Sequence, residues 1–173
     1  MFESQIQEMT ARRRERAARL PLFDANLWLG PPEGFPLATE LDVAAMTAAM
    51  GQYFITGGLV SHWQGKTVSP KAGNTALDVA VRAMAGTPLY TIATAMPDTF
   101  PAVFSDGEPS SRLRGVRIFP QTHSLSLSTK TVGDLCRWLI ERRLPLFVWH
   151  TEIEWRDLPE LTRTFADLSI VVE

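Results

Sequence analysis

Short apolar runs recur along this chain, and a segment of helical periodicity separates most of them from the next. The first run is Leu20-Pro21-Leu22-Phe23-Asp24-Ala25-Asn26-Leu27-Trp28-Leu29-Gly30, closed by Pro31-Pro32. It reads as a buried strand entering a tight loop. Tyr53 to Val60, Leu89 to Ala95, Gly115 to Phe119, Leu146 to His150 and Ser169 to Glu173 read the same way. Alternating strands and helices call for parallel strands joined by crossover helices. In such folds ligands gather at the strand C-terminal ends. Asn26 and Trp28 lie at that end of the first strand.

The intervening segments carry helix signals. Phe2, Ile6 and Met9 fall at i, i+4, i+7 in a helix expected over Phe2 to Arg19. Its second half holds Arg12, Arg13, Arg14, Arg16 and Arg19, which suit either an anionic partner or a solvated face near a helix C-terminus. Thr39-x-x-Asp42 predicts a helix start and Gly51 its stop. Asn74 is expected to cap a helix with Leu77, Val81 and Met84 on one face, closed by Gly86. Thr131 to Arg143 is expected to bury Val132, Leu135, Cys136 and Leu139. Pro159 opens a last helix. Asp98 to Arg114 reads as irregular, with a Ser105-Asp106-Gly107 turn signal. Gly57-Gly58 interrupts the second strand and suits close backbone approach, not a dinucleotide fingerprint.

Composition narrows the function classes. A length of 173 residues sets one domain as the default, here a helical extension over 1–20 and a strand–helix domain over 21–173. A net charge of −2 supplies no global field for nucleic acid. The single cysteine, Cys136, excludes an internal disulfide and a cysteine-cluster zinc site, and its helical position suits a packed thiol. No apolar run reaches the roughly 18 residues that span a bilayer. Glu3 and Glu8 precede no apolar stretch, so no signal peptide and a cytoplasmic location are expected.

Chemistry-bearing residues collect at the strand ends. His62, His123 and His150 each follow a strand and suit metal ligation, substrate binding or general base work, or simply a wet loop. His150 ends an apolar strand, where a polar side chain needs a reason. Asp24, Glu152, Glu154 and Glu173 add carboxylates that could activate water or orient a histidine, and Glu154 suits plain solvation. Arg117 falls inside the fourth strand, where a charge needs a partner. That partner is either a carboxylate of the chain or a substrate carboxylate held bidentately.

These residues resemble a known family. Phe23-Asp24-Ala25-Asn26-Leu27-Trp28-Leu29-Gly30 is similar to the first-strand motif of the amidohydrolase-related barrel hydrolases, Phe-Asp-x-His-x-His-x-Gly. Gly115 to Pro120 resembles their fourth strand, and Leu144 to His150 their fifth, whose terminal histidine binds metal. The resemblance implies an α/β fold of (β/α)8 TIM-barrel type, incomplete here, with about six parallel strands and crossover helices. It implies a divalent metal such as zinc, with His150 as ligand. Metal-activated water would then hydrolyse C–N or C–O bonds, or the metal would assist decarboxylation. Glu173 and Glu152 become the catalytic candidates. Arg117, His62, His123, Asn26 and Trp28 become the substrate-binding candidates.

Two departures open alternatives. Asn26 and Trp28 replace both histidines of the first-strand pair, and Trp cannot ligate. The histidine that follows the family's sixth strand and the aspartate of its eighth have no counterpart. Six strands do not close an eight-stranded barrel, so open edges would pair with another chain or belong to a longer polypeptide. The alternatives are a non-catalytic relative binding a small anionic ligand at the barrel rim, and an assembly module. The expected partners are a small-molecule substrate and a second copy of the chain, with neither nucleic acid nor membrane.

Overall fold

The computed structural model describes residues 2–18, 20–32, 41–84, 86–100, 102 and 110–173. Helix α1 (Phe2–Ala18) comes first. Phe2, Ile6 and Met9 keep their helical spacing but remain 80%, 53% and 70% exposed, so their face covers no core. Then follow β1 (Leu22–Leu29), α2 (Val43–Tyr53), β2 (Ile55–His62), α3 (Gln64–Thr67), α4 (Pro70–Ala83) and β3 (Leu89–Thr94). The remainder is β4 (Leu113–Ile118), α5 (Thr129–Arg142), β5 (Leu146–Val148), α6 (Leu158–Thr164) and β6 (Ile170–Val172).

The six strands form one sheet in sequence order, and every neighbouring pair is parallel. The sheet curls into an incomplete barrel. In a flat sheet β1 and β4 would lie about 14 Å apart, three strand spacings. Yet Arg117 of β4 donates a hydrogen bond to Asn26 of β1 at 3.3 Å.

Strand alternation divides the two faces. Outward residues feed two cores. Leu29, Val60, Met46, Met50, Leu77 and Val81 pack β1 and β2 against α2 and α4. Val116, Ile118, Leu146 and Val148 pack against Val132, Leu135, Cys136, Leu139 and Leu161 of α5 and α6. The expected buried face of α5 is therefore present, including Cys136. Burial pushes the Cys136 thiol up to about 11, as befits a packed cysteine.

Several boundaries differ from those expected. Asp42 caps α2, its carboxylate accepting from Ala45 N at 2.7 Å, while Thr39 lies outside the described residues. Gly51 does not stop α2. The helix runs on to Tyr53 and ends at Phe54, which takes the left-handed conformation at φ 60. Glycine is costly inside a helix but does not by itself end one. Asn74 does not cap α4. Ser69 does so, accepting from Ala72 N at 3.1 Å, with Pro70 in the first turn. Asn74 is instead buried mid-helix and exchanges two hydrogen bonds with the Thr94 backbone, at 2.8 and 2.9 Å. It ties α4 to the end of β3. Strand β5 stops at Val148, and His150 opens a short 3₁₀ turn, His150–Glu152. The Ser105-Asp106-Gly107 turn signal lies outside the described residues.

Candidate functional site

The inward residues at the strand C-terminal ends build two stacked layers. Arg117 is the centre of the lower one. It is fully buried, inside a strand, and its charge is met from three other strands. Its Nη1 donates to Ser61 Oγ of β2 at 2.6 Å. Its Nη2 donates to Asn26 Oδ1 at 3.3 Å and to Glu173 Oε2, just past β6, at 2.6 Å. Ser61 Oγ in turn donates to Ile92 O at 3.1 Å. Of the two partners expected for Arg117, the structure supplies the chain's own carboxylate. Burial lowers the guanidinium from its ordinary value, and Glu173 pulls it back up. Arg117 Nε has no hydrogen-bond partner among the described residues.

Tryptophans form the upper layer. The Arg117 guanidinium lies 4.5 Å from the Trp28 ring. Trp28 meets Trp63 at 4.5 Å and Trp149 at 5.2 Å, and Trp63 meets Trp149 at 5.7 Å. Phe119 closes the group from β4, 5.4 Å from Trp149. The three tryptophans are half-buried. Trp28 Nε1 donates to Asn26 Oδ1 at 2.7 Å, which joins the two layers.

A second charged cluster borders this wall. Lys66 Nζ sits 4.7 Å from the Trp149 ring and 3.3 Å from Glu152 Oε1. Glu152 is buried and accepts from Thr122 N at 2.9 Å and Thr122 Oγ1 at 2.7 Å. Burial favours its neutral form, but the donors from Thr122 and Lys66 win and hold the carboxyl below its usual range. His123 sits on Phe119 at 5.6 Å, and its Nε2 lies 3.0 Å from Lys66 O. A carbonyl only accepts, so Nε2 carries the proton, and the buried Nδ1 is left without a partner among the described residues.

The sequence candidates therefore separate. Asn26, Trp28, Arg117 and Glu173 meet directly, and Glu152 and His123 join through Lys66. His62 does not join them. It follows inward-facing Ser61, so it faces the other way, against Gly30 and a pocket of about 770 Å³ bordered by Asp42 and α4. Its Nδ1 accepts from Gln64 N at 3.2 Å. His150 is exposed, and its Nδ1 lies 2.8 Å from Glu173 O, which leaves Nε2 as its basic nitrogen.

That orientation suits a metal ligand, because ligating histidines commonly give their second N–H to an oxygen. The remaining donors do not fit. Among the described residues no group of three His, Cys, Asp or Glu gathers. Glu173 is engaged by Arg117, and Glu152 by Thr122 and Lys66.

Sequence reading missed Lys66, Trp63, Trp149 and Ser61 as site residues. Trp63 and Trp149 had a signal: like Trp28, each stands at or just beyond a strand's C-terminal end. Lys66 had none, because α3 is four residues long and contains a glycine.

No known family profile matches the chain. No curated protein matches it either. A solved structure does: a probable 2-pyrone-4,6-dicarboxylic acid hydrolase from Acinetobacter baumannii, crystallised with citric acid bound. It is 15% identical, with a TM-score of 0.57 over 88% of this chain and 57% of that one. This chain thus spans little more than half of that structure. At this identity the likeness is one of fold, an α/β barrel of parallel strands.

Proposed function

We propose that this chain contributes the ligand-binding mouth of a hydrolase-like barrel that takes a small carboxylate. One observation carries the reading. Arg117, wholly buried at the strand ends, has a donor, Nε, with no partner among the described residues. A buried unsatisfied donor costs about 1–3 kcal/mol, and a carboxylate ligand would satisfy it. The tryptophans, tilted against one another, add apolar surface beside that charge. The neighbour's substrate, a dicarboxylic acid, and its bound citric acid support the same class of ligand.

The hydrolytic step, in this reading, belongs to Glu173 and Arg117. Glu173 takes a proton from water as the water oxygen attacks an acyl carbon, the C–O bond to the leaving group breaks, and the proton passes from Glu173 to the departing oxygen, which regenerates the carboxylate. Arg117 holds the ligand's carboxylate and so places that carbon beside Glu173. Glu152, held by Thr122 and Lys66, positions loops rather than moving protons.

The test is titration of the protein with citrate and with 2-pyrone-4,6-dicarboxylate, read by tryptophan fluorescence and calorimetry. Saturable binding is expected, weakened at least tenfold in Arg117→Lys. Glu173→Gln releases the guanidinium from its internal partner, so the acids should bind more tightly while any hydrolysis is lost. Failure of both acids to bind would sink the reading.

A further inference from the structure

We infer that helix α1 and the adjoining base of the barrel lie on an anionic lipid membrane, with the arginines on the headgroups and the apolar side chains beneath them. The inference is independent of the carboxylate site at the opposite end of the strands.

Every residue from Phe2 to Arg16 is exposed, so the body of the barrel buries none of this stretch. Phe2, Ile6, Met9, Arg13 and Arg16 follow one another at i, i+4, i+7, i+11 and i+14, which sets them in one row along the helix. The row holds three apolar residues, then two arginines, and no carboxylate. Arg12 pairs with Glu8 at 2.8 Å, but no ion pair engages Arg13, Arg14 or Arg16 among the described residues.

The row runs on to the barrel. Arg13 and Arg16 border a recess of about 640 Å³ shared with Leu20, Leu22, Tyr53 and Phe54. Leu20, Leu22 and Tyr53 are 66%, 46% and 62% exposed. Leu22 opens β1 and Tyr53 closes α2, so this is the end of the barrel where the strands start. Helices that join parallel strands finish at that end, which places the last-turn arginines of α4, α5 and α6 there too, namely Arg82, Arg142 and Arg163. The net charge of −2 gives no reason to expect a membrane partner, but it describes the whole chain and not this face. Arginines beside exposed aliphatic side chains match a membrane boundary, where anionic headgroups overlie hydrocarbon. A nucleic acid would meet the arginines and leave Ile6, Met9, Leu20 and Leu22 in water. A second copy turning the same face inward would set each arginine near its own duplicate. Among the described residues no helix can cross a bilayer, so the docking is peripheral.

The experiment is co-sedimentation of the whole chain with vesicles of phosphatidylcholine alone and with vesicles that carry about a third phosphatidylserine. Binding is expected on the anionic vesicles and not on the neutral ones. Arg13→Gln and Arg16→Gln should each weaken it about fivefold, and added salt should weaken it further. Ile6→Ser leaves the charge unchanged and should weaken it by a similar factor, through lost apolar contact. All three side chains are exposed, so the variants should keep the thermal midpoint of wild type. Absence of binding to anionic vesicles, or equal binding to neutral ones, overturns the inference. So does indifference to Ile6→Ser, which would leave an electrostatic surface of the kind a nucleic acid reads. A mass that shifts in Arg13→Gln without vesicles, read by light scattering, overturns it in favour of a second copy.

Discussion

Arg117 and Glu173 form a pair that crosses β5, and Asn26 and Ser61 bring β1 and β2 to the same guanidinium. One side chain thus ties four strands across the lumen of an incomplete barrel. Removing one partner of a buried pair leaves the other uncompensated, so Arg117→Met is expected to cost about 3–5 kcal/mol, read as a lower urea midpoint. Glu152 gives a pH signature. Its folded pKa is depressed, so its contribution is present above the unfolded carboxylate value of about 4.3 and is lost as pH falls through the folded value. As pH falls from about 4.3 to the folded value, the thermal midpoint of wild type should fall more steeply than that of Glu152→Gln. Cys136, fully buried with its thiol pushed up to about 11, should react with thiol reagents only after unfolding.

Among the elements, α3 and α5 show how local geometry decides placement. Alanine at Gly73 would strike the Gly65 backbone, so Gly73→Ala should displace α3 and destabilise by about 1–3 kcal/mol, with altered Trp149 fluorescence as Lys66 leaves the ring. Helix α5 ends at Arg143 in the left-handed region, φ 54, where its N–H reaches back to Ile140 O and Leu139 O. A side chain there costs roughly 1–2 kcal/mol, so Arg143→Gly is expected to raise the urea midpoint. The strand elements were legible as apolar runs, and the buried face of α5 as its periodicity. Gly51 and Asn74 misled because each residue type has two roles. Glycine can end a helix or sit inside one, and asparagine can cap a helix or, buried, serve a neighbouring strand as Asn74 serves Thr94.

On the scale of the whole molecule, the curled sheet has two edges. Neither β1 nor β6 has an outer partner among the described residues, and Leu22 and Phe23 are 46% and 52% exposed on β1. Unpaired apolar edges recruit further strands. Light scattering with sizing is therefore expected to give a mass that rises with concentration above 19.3 kDa, and Phe23→Lys should lower it. Among the described residues no helix is long and apolar enough to cross a membrane.

Sequence alone determined the order of strands and helices and their parallel sense. These follow from periodicity and from how crossover connections pack, which are properties of neighbouring residues. It also limited Arg117 to two partners, because a charge inside a strand must be met. Only the tertiary structure supplied the first of them, since Glu173 lies 56 positions away and reaches Arg117 through the curl of the sheet. The same holds for the side His62 faces, which hinges on which strand face turns inward. It holds for Lys66, whose position depends on two glycines closing on each other across separate helices. Contacts of that kind have no local signature, because they arise from the shape of the whole sheet rather than from the residues beside them.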